Sequence, residues 1–201
     1  MICAFFLSVA GALLYAVAPE SQVERLLDLA TDYGQVERSV LLLHSHSPVI
    51  TRVPCISPLR VEDLRHIPVS SAYGRRLHPI LHEYKHHAGI DLAAELGEIV
   101  YATADGVVVA AGYDPLLGNY AKLEHDYGFS TVYGHLQSCA VVVGDTVRIG
   151  RVLGRAGSSG RSTGPHLHYG IRKYDKEQDP LPYCYLYLRW QEKVRSRKTG
   201  R

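Results

Sequence analysis

Apolar residues recur along this chain in three rhythms. From Ile2 to Ala18, "ICAFFLSVAGALLYAVA" runs without a charged side chain. From Glu20 to about Leu43, Val23, Leu26, Leu27 and Ala30 fall at helical spacing with charges between them, which predicts a helix that Gly34 interrupts. "HSPVITRVPCISPL" follows, and its prolines Pro48, Pro54 and Pro58 read as an extended connector. From about Ile67 to Tyr185 the rhythm is that of strands. "GEIVYATADGVVVAAGY" holds two apolar runs parted by Asp105–Gly106, a strong turn signal. "NYAKLEHDYGFSTVYGHL" supplies a second pair of strands around Asp126 to Gly128, and "VVVGDTVRIGRVLGRAG" adds short strands cut by Gly144, Gly150 and Gly154. Many short strands, glycine turns and almost no helical period predict an all-β domain. Its form is an antiparallel β-sandwich or partly open barrel, preceded by an apolar segment and a short helical region.

At 201 residues and 46% apolar, the chain has room for one ordinary domain with extensions. The divisions expected are 1–18 as signal or membrane-anchor segment, 19–66 as helical or extended linker, 67–185 as the main domain and 186–201 as a solvated basic tail. A formal charge of +2 gives no case for nucleic acid. As a helix the first run would span roughly 25 Å, slightly short of a bilayer core of about 30 Å. It fits a signal region or a short anchor and predicts export. Pro19 after "AVA" is a poor context for cleavage, which favours a retained membrane tether. No Lys or Arg precedes the run, so the usual basic leader is missing. Cys3, Cys55, Cys139 and Cys184 show no Cys-x-x-Cys spacing and specify no disulfide.

Chemistry enters at "GRSTGPHLHYGI", Gly160 to Ile171. On a strand His166 and His168 point to one face, which suits a metal ligand with a helper imidazole. Upstream, "HHAGIDLAA" puts His87, Gly89 and Asp91 on one strand face, with the glycine leaving the space between the other two clear. With His168 these make a His, Asp and His set. Three N and O ligands leave one position of a tetrahedral site to water, the pattern of a catalytic rather than a structural zinc.

The blocks "HAGID" (His87–Asp91), "YGHL" (Tyr133–Leu136) and "GSSGRSTGPHLHYGI" (Gly157–Ile171), with "YGRRLHP" (Tyr73–Pro79) before them, resemble the lysostaphin/LytM-type zinc metalloendopeptidases of the Duplicated hybrid motif fold. The resemblance covers about residues 70 to 175. It implies one Zn2+ per chain, held by His87, Asp91 and His168, with His135 and His166 as non-ligand catalytic histidines. It also implies peptidoglycan peptide cross-links as substrate, at a periplasmic or cell-envelope location. Arg76, His78 and Tyr133 are candidate substrate contacts; Tyr133 is expected to share the strand face of His135. His86 is expected on the opposite strand face at the surface, and His125, which precedes the "DYG" turn, in a turn-capping or exposed role. The alternative is a non-catalytic member of the fold that binds peptidoglycan or an amidase.

Overall fold

The computed structural model describes residues 18–62, 66–77 and 83–199. The apolar run through Val17 and Cys3 lie outside the described residues. Two helices come first, α1 (Glu20–Leu29) and α2 (Tyr33–Val40), then a 3-10 turn over Pro48–Arg52. The strands are β1 (Val69–Ser71), β2 (Gly74–Leu77), β3 (Tyr84–His87), β4 (Ile90–Ala93), β5 (Ile99–Tyr101) and β6 (Gly106–Asp114). They continue with β7 (Gly118–Glu124), β8 (Phe129–Cys139), β9 (Thr146–Val147), β10 (Val152–Ala156), β11 (His166–Lys173) and β12 (Lys176–Gln178). Helices α3 (Pro180–Cys184) and α4 (Leu186–Thr199) close the chain.

The main sheet is antiparallel and runs β1-β4-β11-β8-β7-β6-β9 without closing, with β10 on β5 and β8, and β12 on β11. Strands β2 and β3 form a separate hairpin. The predicted all-β, partly open architecture is what is found. The pair β7 and β8 meets around a 3-10 turn at Asp126–Gly128, as the pattern predicts. The runs on either side of Asp105–Gly106 do not pair with each other. The chain turns there, but β5 goes to β10 while β6 goes to β7 and β9. A turn signal reports a local reversal, and pairing depends on what lies beside each strand afterwards.

The segment before β1 is more than a linker. Val23 and Leu27 of α1, Val36 and Val40 of α2, and Val49, Val53 and Cys55 join Phe129, Tyr169 and Tyr183 in one apolar cluster. Gly34 does not interrupt one helix; the break is at Ala30–Asp32, where the Asp32 carboxylate accepts from the Gln35 N–H at 2.9 Å and starts α2. Residues 186–199 are likewise no solvated tail. They form α4, with Leu186 and Trp190 buried and Arg197 donating to the Leu41 and Leu43 carbonyls.

Candidate metal centre

Three adjacent strands carry the site. Antiparallel pairing sets Asp91 of β4 opposite His168 of β11, and His168 opposite Gly134 of β8. His87 arrives from the other sheet. The stretch His87 to Asp91 is two strands with a break at Ala88–Gly89, rather than one strand. Glycine is required at that break because a Cβ on residue 89 would lie 2.4 Å from the Tyr169 carbonyl oxygen and 2.9 Å from His168 Cε1.

His87 Nε2, Asp91 Oδ1 and His168 Nδ1 converge, with separations of 3.1 Å, 3.0 Å and 3.1 Å around the triangle. His87 Nδ1 is 2.9 Å from the Ala72 carbonyl, which can only accept, so the ring proton is on Nδ1 and Nε2 presents a lone pair. Metal bonds of about 2.0–2.2 Å in tetrahedral array place ligand atoms about 3.3 Å apart, close to what is seen. The donor set therefore fits a metal ion, and the Ala72 contact is the outer hydrogen bond that such a histidine needs. Asp91 is buried, which opposes its charge. The His168 and His87 imidazoles beside it outweigh that and hold its carboxyl well below the usual range. Arg76 Nη2 sits 3.3 Å from Asp91 Oδ2 and so fixes this carboxylate as well as facing the cleft.

Two further imidazoles stand beside the triangle. His135 Nδ1 donates to the Ser159 carbonyl at 2.9 Å and His166 Nδ1 to the Gly164 carbonyl at 2.8 Å. Both therefore expose an Nε2 lone pair. Their ring centres are 4.6 Å apart, and His166 Nε2 is 3.8 Å from Asp91 Oδ1. Burial, and then the neighbouring His166 and His168, hold the His135 pKa below the ordinary histidine value against the pull of the Ser159 carbonyl.

His135 adopts a left-handed backbone, φ 58°. The pairing of β7 with β8 slips between Asn119 and Ala121, so β8 carries one extra residue there. This bulge turns His135 to the cleft and breaks the alternation. Tyr133 in consequence is not on the His135 face: it is fully buried, with its oxygen accepting from the Thr103 N–H at 3.1 Å. It is a core residue and not a substrate contact. His86 lies at the surface, 2.9 Å from Glu177 Oε2, as its strand position predicts. His125 stands at the N-cap of the turn, but its side chain neither caps it nor lies exposed; the ring is enclosed between the Asp105 carbonyl and the Thr131 hydroxyl, at 2.7 Å and 2.8 Å. His78 lies outside the described residues. The sequence reading missed Lys85, Arg161, Leu116 and Leu117, which line the cleft. Arg161 lies within the Gly157–Ile171 block, though nothing in the block singles it out; Lys85, Leu116 and Leu117 carry no motif, and only folding brings them there.

An open antiparallel sheet that gathers two imidazoles and a carboxylate, flanked by two free imidazoles, defines the class of metal-dependent hydrolases. The sequence pattern of Peptidase family M23 matches residues 85–180. The chain is 44% identical over 121 residues to DD-carboxypeptidase/endopeptidase Mpg of Neisseria meningitidis, covering 60% of this chain and 28% of that protein. It is 43% identical over 102 residues to peptidoglycan DD-endopeptidase ShyC of Vibrio cholerae, covering 50% and 24%. The catalytic domain of lysostaphin from Staphylococcus simulans superposes with a TM-score of 0.54 at 32% identity, covering 60% of this chain and 94% of that one. The chain belongs to peptidase family M23. It spans about a quarter of the length of these two curated relatives.

Proposed function

We propose that this chain is a zinc-dependent endopeptidase that hydrolyses the peptide cross-links of bacterial peptidoglycan, acting outside the cytoplasmic membrane. The observation that carries the reading is the convergence of His87, Asp91 and His168 with the open Nε2 atoms of His135 and His166 beside them. Relatives named as peptidoglycan DD-endopeptidases support the substrate class.

Zinc, held by His87, Asp91 and His168, would supply Lewis acidity toward the scissile carbonyl and a lowered pKa for attacking water. The remaining work falls to the chain itself. His135 Nε2 and His166 Nε2 accept the proton of the attacking water and return one to the departing amine. The Ser159 and Gly164 carbonyls hold each ring in the tautomer that this exchange needs. Arg76, 3.3 Å from Asp91 Oδ2, keeps that carboxylate aimed.

Export and a membrane tether rest on the apolar run Ile2 to Ala18 and on a substrate found in the cell envelope. Among the described residues no helix is long and apolar enough to cross a membrane, and that run lies outside them, Ala18 apart. Incubation of the purified zinc-loaded chain with cell-wall sacculi, followed by mass analysis of the released fragments, tests the activity. Cross-linked dimers are expected to disappear in favour of monomers. Unchanged dimers would refute it.

A further inference from the structure

Helix α1 carries more leucine than its core contacts use. Val23, Leu27 and Ala30 are buried, while Gln22, Arg25, Leu26 and Leu29 share a second face of the helix at i, i+3, i+4 and i+7. Leu26 and Leu29 are 45% and 68% exposed. With Ala30 and Leu42 they form the apolar part of a groove between α1 and α2, and Arg38 lines the same groove. The charges around it are one-sided. Every acid of residues 19–40 is engaged elsewhere: Glu20 with His44, Glu24 with Arg52, Asp28 with the Tyr174 hydroxyl, Asp32 with the Gln35 N–H and Glu37 with Arg189. Arg25 and Arg38 are exposed, and neither pairs with an acid among the described residues. The face therefore offers leucine flanked by free guanidinium groups.

Only Pro19 separates α1 from the uncharged run Ile2 to Ala18. Resting on the membrane tether proposed above, and not on which bond is cut, we infer that the outer face of α1 and α2, centred on Leu26 and Leu29, lies on the anionic lipid surface that the run enters. Ten residues of helix span about 15 Å, so Leu29 stays within that distance of the point where the chain leaves the bilayer. Leucines in the headgroup region with arginines beside anionic lipid are the pairing that holds a helix flat on a membrane. Asp28 of α1 meets Tyr174, six residues beyond His168 and roughly 20 Å along β11. A bilayer on this face therefore leaves the metal cleft uncovered.

The test uses the full chain with Cys3→Ser and Cys139→Ser, since Cys55 and Cys184 are buried. An environment-sensitive dye is attached through Leu29→Cys or, beside the cleft, through Tyr113→Cys, which replaces a residue 66% exposed. On vesicles of phosphatidylethanolamine and phosphatidylglycerol, the dye at position 29 is expected to shift to the blue and to be quenched by headgroup-labelled lipid. The dye at position 113 should do neither. Adding Arg25→Gln/Arg38→Gln should lower the ratio of quenched to unquenched dye at position 29 by about 10- to 30-fold. A chain that sediments with vesicles while position 29 stays in water would overturn the inference and leave the tether standing. Shielding of position 29 before vesicles are added would assign the groove to residues 2–17 or to a second copy and overturn it too. Equal quenching at positions 29 and 113 would contradict the orientation, and a chain that does not sediment with vesicles would remove tether and inference together.

Discussion

At the scale of single residues, two histidines show how the fold forces side chains into unusual states. His135 sits at φ 58°, where a side chain with a Cβ is strained by about 1–2 kcal/mol. The β8 bulge and the Leu117 carbonyl, 2.6 Å from the His135 N–H, hold it there. His135→Gly should therefore be more stable than His135→Ala by about 1 kcal/mol, since both lack the ring and only glycine tolerates this backbone. Urea denaturation of the two variants measures the difference, and equal stability would show that the strain is absent. His125 is perturbed by another cause. Burial pushes its pKa down to about 4, against the pull of the Asp105 carbonyl. A depressed histidine pKa means that the unfolded chain binds a proton that the folded chain resists. Its contribution is thus complete above the ordinary value near 6.5 and is lost as pH falls through 4, by about 3 kcal/mol. Denaturation at pH 7 and pH 4 should show this loss in the wild type and a smaller one in His125→Gln; equal losses would remove His125 as the cause.

At the scale of elements, strand order and register decide what the sequence can reveal. His87, Asp91, His135, His166 and His168 were legible because their motifs are local and sit at close spacings. That His168 would face Asp91 was not, since the contact depends on β4 and β11 pairing across a long separation. Tyr133 was misplaced because period-two alternation holds only along an unbroken strand, and the bulge lies between it and His135. The break at Gly89 likewise splits a run that reads as one strand, and it explains why space at that position matters. Gly89→Ala should disturb the site, because the nearest atoms are a backbone carbonyl and a ligand imidazole. A loss of about 1–3 kcal/mol in stability is expected, with metal affinity weakened. Denaturation and a zinc titration check both, and wild-type values in each would show that the backbone yields without consequence. For α1, Leu27→Ala should destabilise the protein by about 2–5 kcal/mol, since the residue is fully buried in the shared apolar cluster. A removable linker would give almost no change in the same measurement.

At the scale of the whole molecule, the extensions and the reacting groups are kept apart. Glu24 and Asp28 of α1 reach Tyr127 and Tyr174, at the end of β11 remote from His166 and His168. Residues 18–62 do not line the cleft, so the helical segment buttresses the sheet and leaves the metal centre open. Composition and hydrophobic rhythm revealed the β domain and its openness. They did not reveal that both extensions join its core, because Val23, Leu27 and Trp190 look the same in sequence whether they cover a sheet or each other. The proposed function depends on a division of labour between neighbouring histidines on one strand, with His168 as metal ligand and His166 as proton carrier. Zinc content measured beside the rate of cross-linked dimer hydrolysis, for the wild type, His168→Ala and His166→Ala, tests this most directly. One zinc per chain is expected in the wild type, none with no hydrolysis in His168→Ala, and one in His166→Ala with a rate roughly 10²–10⁴-fold lower. A His166→Ala protein that loses zinc while His168→Ala retains it, or a wild type that takes up none, would contradict it.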